Sequence, residues 1–347
     1  MFAILALAGA AWQPINHVPM PASQPDFEFV DMGDCRPSGP GQPPTQTFVE
    51  ELKEIGYIHP DFVICNGDLV YGEDDTLDQY NTELTEIQKL VDALSVPFMN
   101  VPGNHEISEH QEFQEAYAKR MGAIHGSFDY GGWRFVGVCT DEFGSADKIS
   151  DSQMEWIRQT VDGSEPTLVF MHRPIFARSG VDEAGATLAD GTELHDLFKS
   201  HNVKGVFESH DHVFNLQNHD GIQYVITGGA GAPLDAPPQD GGFFHYLIIK
   251  VSGGQMSMEV IPLDGIQVVR VGEQVRVSAY CPYDIELNDF TFDWPSRPSS
   301  VTAVLDKKGK KSPVQVSLTG VDREASGYKV HVKFLLGKHR QTILTVK

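Results

Sequence analysis

Short apolar runs that end in a polar cluster recur through the first two thirds of the chain. They alternate with longer stretches whose apolar residues fall three and four positions apart. Asp26–Asp34 (DFEFVDMGD) predicts a strand closing on Gly33-Asp34, and Asp61–Asp68 (DFVICNGD) predicts a second buried strand with the same ending. Between them, after a Pro/Gly-rich loop at 37–44, residues 45–56 predict a helix with Phe48, Val49, Leu52 and Ile55 on one face. A helix over 76–94 and a short strand over 96–101 lead into Gly103-Asn104-His105-Glu106. Residues 127–140 form a hairpin pattern turning at Gly131-Gly132. A helix over 151–162 precedes the strand Thr167–Met171, which ends at His172. A helix over 192–201 and a strand over 203–207 then lead into Ser209-His210-Asp211-His212, and further strands are expected at 222–227 and 244–251.

This alternation implies an α/β or α+β core. The polar clusters follow the C-terminal ends of strands, where open α/β sheets gather ligands. From about residue 266 the pattern changes. Glu273–Tyr280, Val301–Leu305, Val314–Leu318, Tyr328–Leu335 and Thr342–Val346 are β-rich with no helix between them, which predicts a small all-β, immunoglobulin-like sandwich. The 347 residues therefore divide into a catalytic-type domain over 24–265 and a β-sandwich over 266–347.

Charge sharpens the division. Residues 266–347 carry 13 Lys/Arg and 8 Asp/Glu, whereas residues 1–265 carry 13 and 40. A body that acidic repels polyphosphate backbones, which argues against a nucleic-acid partner, and it suits a protein that holds cations. With 41% hydrophobic and 21% charged residues the composition is globular. No apolar run is long enough for a transmembrane helix. Cys35, Cys65, Cys139 and Cys281 show neither CxxC spacing nor a dense framework, so no thiolate metal site or disulfide scaffold is expected. Residues 1–11 (MFAILALAGAA) match the apolar core of a secretory signal, with Ala8 and Ala10 at A-x-A spacing but no basic n-region. They imply a secreted or periplasmic protein, with a buried N-terminal segment of a cytoplasmic one as the alternative.

The residues after the strands are aspartates, an asparagine and histidines. These are the oxygen and imidazole donors that a pair of borderline metals takes, with one carboxylate shared and a position left open for water and substrate. Gly33-Asp34, Gly67-Asp68, Gly103-Asn104-His105-Glu106, His172 and His210-Asp211-His212, in that order over roughly 26–262, resemble the calcineurin-like metallophosphoesterases. Met171-His172-Arg173-Pro174, Tyr71 and the Gly228–Pro233 turn are similar to bacterial secreted members of the purple acid phosphatase branch.

The resemblance implies a four-layer α/β/β/α sandwich and two metal ions drawn from Fe, Zn or Mn. Asp68 would bridge them, Asp34 and His212 would bind one, and Asn104, His172 and His210 the other. It implies hydrolysis of a small phosphate ester by a metal-bridging hydroxide, with His105 assisting the leaving group. A phosphodiesterase or nucleotidase of the same fold, or a non-catalytic interaction module, is the alternative. The chain departs from the common pattern at Arg36, where the family usually has a histidine ligand. A guanidinium cannot ligate. Tyr71 would fill the gap as a tyrosinate or else be a packed structural ring. Arg36 would either clamp a substrate phosphate or pair with a carboxylate. Asp31-Met32-Gly33 offers a competing alignment for the first aspartate, and Asp34 is preferred because Phe27–Met32 completes the strand. Glu106 is expected to orient His105 or a ligand, and His245 to be a core histidine or to line the site.

Overall fold

The computed structural model describes residues 11–107, 110–178, 187–307 and 310–347. The signal-like segment lies outside these residues except for Ala11, which bridges to Ser127. The chain forms two compact units, Met1–Val49 with Asp61–Met258, and Glu50–Pro60 with Glu259–Lys347.

Along the first part of the chain run β1 (Phe27–Met32), α1 (Gln46–Ile58), β2 (Phe62–Cys65), α2 (Leu77–Asp92), β3 (Phe98–Asn100), α3 (Asn104–Ile107), α4 (Gln111–Arg120), β4 (Gly126–Tyr130) and β5 (Trp133–Val138). There follow α5 (Asp151–Val161), β6 (Thr167–Met171), α6 (Gly191–Ser200), β7 (Val203–Glu208), β8 (Phe214–His219), β9 (Ile222–Thr227), β10 (His245–Ser252) and β11 (Gln255–Pro262). Two sheets result, ordered β11-β10-β1-β2-β3 and β4-β5-β6-β7-β9-β8. In each, the central strands are parallel: β1-β2-β3 in one and β5-β6-β7-β9 in the other.

The sheets face each other through phenylalanine. Phe29 and Phe62 stack at 5.1 Å on the first sheet and meet Phe135 of the second at 5.5 and 5.3 Å, in edge-to-face contacts. Phe170 and Phe207 extend the layer, stacked at 5.2 Å. Strand alternation explains the rest. Phe135, Phe170 and Phe207 point inward, while their neighbours Val136, Val169 and Val206 point outward into a cluster with Trp156 and Ile157 of α5 and Leu194 and Phe198 of α6. Each buried phenylalanine contributes about 1.5–3 kcal/mol, so this layer fixes how the two sheets register. Helix α2 begins at a capping box between Thr76 and Gln79 and buries Tyr80, Leu84, Ile87 and Val91.

Three elements differ from the sequence expectation. Helix α4 is present and buries Phe113 and Tyr117, an i,i+4 pair in a mostly polar stretch. Strand β8 is a half-exposed edge strand whose sequence FNLQNH lacks apolar alternation. It pairs with β9 across Asp220-Gly221, both at positive φ as a tight hairpin turn requires. The segment Val314–Leu318 is not one strand, because β16 ends at Val314 and β17 starts at Val316.

The second part of the chain is all β: β12 (Ile266–Val271), β13 (Gln274–Ala279), β14 (Ile285–Trp294), β15 (Val301–Lys307), β16 (Lys310–Val314), β17 (Val316–Glu324), β18 (Gly327–Leu336) and β19 (Gln341–Val346). These form sheets ordered β12-β13-β19-β15-β16 and β14-β18-β17. Val330, Val332, Phe334 and Leu336 of β18 are buried at every second position, with His331, Lys333 and an exposed Leu335 between them.

Candidate active site

The C-terminal ends of β1, β2, β6 and β7, with the start of α3 after β3, converge on one point. Asp34, Asp68 and His172 are fully buried there, and one donor atom from each lies within 4.8 Å of the others. Two of the turns that carry these side chains are left-handed. Asp34 has φ 58° and Asp68 φ 56°, and His210 nearby has φ 72°, a region that Asp and His enter more readily than most residues. Glycines let the loops close in. A Cβ on Gly67, which has φ +98°, would sit 2.6 Å from the Gly103 nitrogen, and one on Gly103 would sit 2.3 Å from Asp68 Oδ1.

The donors fall into two groups around Asp68. His172 Nε2 lies 3.0 Å from Asn104 Oδ1, 3.2 Å from His210 Nδ1 and 3.3 Å from Asp68 Oδ1. On the other side, His212 Nε2 lies 3.6 Å from Asp34 Oδ1. Atoms bound at about 2.0–2.2 Å to one ion are themselves roughly 2.8–3.6 Å apart, so the spacing fits a metal. Asp34 Oδ1 is buried with no hydrogen-bond partner, which is an unmet need that a cation would fill. Backbone carbonyls set the imidazoles. His172 Nδ1 donates to the Asn66 carbonyl at 2.9 Å and His212 Nδ1 to the Pro233 carbonyl at 2.6 Å, leaving Nε2 of each facing the cluster as an acceptor.

A model of the calcineurin-like phosphoesterase family matches residues 32–214, more than half of the chain and all of these donors. The chain belongs to the calcineurin-like phosphoesterase family. It is a metal-dependent phosphoesterase. It is 25% identical over 224 residues to the serine/threonine-protein phosphatase CPPED1 of Danio rerio, covering 58% of this chain and 71% of that protein. Among solved structures, it shares its fold with a dimetal phosphatase from Danio rerio, at a TM-score of 0.55 and 14% identity, covering 67% of this chain and 95% of that one. It is likewise similar to GAP50, the anchor in the inner membrane complex of Plasmodium, at a TM-score of 0.50 and 12% identity, covering 68% and 84%.

Around the donors of this phosphoesterase the groups are pulled in different directions: burial raises the Asp34 carboxyl against His212 and His172, and burial would lower His172 but Asp68 and Asp34 outweigh it and raise it. Burial would raise the Asp68 carboxyl, but His172, His105 and Arg36 outweigh it and hold the group well below the ordinary range. Burial, with His172 and Arg173 nearby, pushes His210 well below the ordinary histidine value. His212 goes the other way: burial lowers it, but Asp34 and Asp235 raise it to about 9. Arg36 Nε donates to Asp68 Oδ2 at 3.3 Å, and its guanidinium lies 5.8 Å from the centre of the Tyr71 ring. The Tyr71 ring also packs against His105 at 5.3 Å. His105 Nδ1 hydrogen-bonds the Tyr71 carbonyl, which can only accept, so Nδ1 carries the proton and Nε2 points inward, 3.8 Å from Asp68 Oδ2.

Several contacts escape a linear reading. Glu106 is fully buried and accepts from the amides of Gly103 at 2.7 Å, Asp68 at 3.0 Å and Leu69 at 2.5 Å, so it ties the second and third donor loops together through their backbones. Burial and the neighbouring Asp68 push it up to about 7. Asp31 is engaged by the Asn66 side chain at 3.1 Å, and it is Asp34 that reaches the donors. Arg173 spans from Asp141, at 2.7 Å, to His210 Nε2, at 3.0 Å. Ser209 donates to the Thr227 carbonyl at 3.3 Å. His245 is a satisfied core histidine: Nδ1 donates to the Phe243 carbonyl at 2.8 Å and Nε2 accepts from Thr227 Oγ1 at 3.2 Å.

Proposed function

We propose that this phosphoesterase hydrolyses small phosphate esters with two ions, Asp34, Asp68 and His212 holding one, and Asp68, Asn104, His172 and His210 holding the other. The observation that carries the reading is the spacing of the donors on either side of Asp68, together with the unpartnered Asp34 Oδ1. Ions of Fe, Zn or Mn would supply Lewis acidity toward the phosphoryl group and a water acidified to near neutral pH. Around them, Arg36 neutralises one edge of Asp68 and offers its remaining guanidinium N–H groups to a phosphoryl oxygen. With Nδ1 anchored on the Tyr71 carbonyl, His105 presents a protonated Nε2 to the departing alkoxide. In this reading Tyr71, three residues past Asp68, would hold a ferric ion as a phenolate, as in the purple branch. Burial and the acidic neighbours Glu73 and Asp74 raise its phenol, so only an ion at that oxygen would ionise it. The two C-terminal β-sheets support an immunoglobulin-like sandwich, and the apolar N-terminal segment supports export.

The test is metal content by atomic emission with the visible spectrum, on wild type and three variants. Two metals including iron, with a violet band that Tyr71→Phe abolishes, would support the purple branch. Two metals without the band would leave Tyr71 as a wall for His105. Asp68→Ala should lose metal and activity together, and His105→Ala should keep metal while losing rate by about 10²–10⁴. A His105→Ala protein without metal would overturn the role assigned to His105. A chain that cannot be loaded with two ions would overturn the dinuclear reading.

A further inference from the structure

On the His212 side of the donor cluster, the start of β8 and the loop at 235–243 line an open cavity of about 790 Å³. Asp235 connects it to the site. It lines the cavity, and its carboxylate accepts from the His212 amide at 2.8 Å and lies 3.5 Å from His212 Nδ1. Phe214 and Phe243 form an aromatic wall, with ring centres 6.4 Å apart and planes tilted by 52°. Both rings rest on buried His245, at 5.6 and 4.8 Å, so their positions are set by the core.

The charges lining the cavity are uneven. Arg178 is its one basic side chain among the described residues, and Arg178 Nε lies 3.2 Å from Asp211 Oδ2. Asp240 lines the same space, is exposed, and makes no ion pair among the described residues. Two aromatic rings with a free carboxylate attract an organic cation. Asp235 and Asp240 outnumber Arg178 along this space, so an anionic group entering it is met less favourably than a cation. The surrounding acidic body adds attraction for a cation at long range.

We propose that this cavity receives the alcohol half of the substrate, and that the substrate is a phosphate ester of an ammonium-bearing alcohol. The inference rests on the phosphoesterase reading of the adjoining donors. In the reaction the P–O bond to the alcohol breaks and a water oxygen bonds to phosphorus. One water proton stays on the new phosphate hydroxyl and the other ends on the departing alkoxide. The ammonium takes no part in bond making and acts only as the group recognised.

The test compares phosphocholine with 3,3-dimethylbutyl phosphate, the neutral isostere in which carbon replaces the ammonium nitrogen, using 4-nitrophenyl phosphate as a general substrate of the metal-loaded protein. The cationic ester should have a kcat/KM about tenfold or more above its isostere. Asp240→Asn and Phe243→Leu should each shrink that ratio severalfold. A wild-type ratio near or below one, with 4-nitrophenyl phosphate turned over normally, would overturn the cavity's role and leave the phosphoesterase intact. If no ester is hydrolysed, the parent reading fails, and calorimetric titration of choline against 3,3-dimethylbutanol still decides the cavity. Tighter binding of choline supports it, and equal binding overturns it.

Discussion

Replacing Glu106 with glutamine tests whether the donor loops are held by one carboxylate. The two oxygens of Glu106 accept three backbone N–H groups, with Gly103 and Asp68 on Oε2 and Leu69 on Oε1. Glutamine keeps the shape and turns one acceptor into a donor. With its nitrogen at the Oε1 position, the Leu69 N–H and the new amide N–H face each other. With its nitrogen at Oε2, two backbone donors are stranded. The cheaper placement still leaves two buried donors unsatisfied at about 1–3 kcal/mol each, or about 4 kcal/mol together. That loss falls on the turn where Asp68 is held at φ 56°. The expected outcome is a melting temperature lower by several degrees and a metal affinity weaker by about 10–100-fold. Calorimetric titration of zinc into the chelated protein measures the affinity, with thermal unfolding in parallel. Both belong at pH 8, because burial and Asp68 push the Glu106 carboxyl up to about 7 and the acceptor must be ionised. Unchanged affinity and unchanged melting would refute the view that Glu106 sets the turn. Lowered melting with unchanged affinity would show that the strain of the turn and the placement of the Asp68 carboxylate are separate matters.

Two further outcomes follow from buried groups. Burial pushes His245 down to about 4, against 6.5 in the unfolded chain. Between those values the unfolded state binds the extra proton, so stability rises with pH across that window and is lost on acidification. Going from pH 7.5 to 5 should remove about 2 kcal/mol, and the full window about 3 kcal/mol. Urea unfolding in a chelator, comparing wild type with His245→Asn, isolates this slope, and parallel pH profiles for the two proteins would contradict it. Gly67→Ala forces a Cβ to 2.6 Å from the Gly103 nitrogen and 2.8 Å from His172 Nδ1, at a φ of +98°. It should destabilise by more than about 1 kcal/mol and lower the metal retained after dialysis, and full retention with unchanged melting would count against the close packing of these loops.

The places of the proposed donors along the chain have a physical reason. Asp34, Asp68, Asn104, His172, His210 and His212 each follow a strand or the turn just after one, so apolar runs mark their places without any tertiary contact. The sheet core was similarly legible, since Phe29, Phe135, Phe170 and Phe207 occupy alternating inward positions. What escaped depends on partners distant in sequence. That Glu106 binds the Asp68 and Leu69 backbones spans 38 and 37 residues, and nothing local marks it; a salt bridge is expected of Arg173, but its partner Asp141 lies 32 residues away. Strand β8 escaped for the opposite reason. Its edge position leaves FNLQNH half-exposed, so it needs no apolar face, although the Asp220-Gly221 turn beside it is a hairpin signal. In the sequence Arg36 is open to two roles, a clamp on phosphate or a partner for a carboxylate. Its 3.3 Å contact with Asp68 Oδ2 meets the pairing reading and leaves other guanidinium N–H groups for a phosphate.

Asp34, Asp68 and Asn104 come from one sheet, and His172, His210 and His212 from the other. The His210 amide bonds Asp34 Oδ2 across 176 residues of chain. In the proposed ligand sets, a nascent chain that has emerged through Asn104 would carry two of the three residues for one ion and two of the four for the other, and the imidazoles follow at 172, 210 and 212. In that reading metal capture would be a late event in the life of the nascent chain, and an ion would join two layers that also meet through phenylalanine.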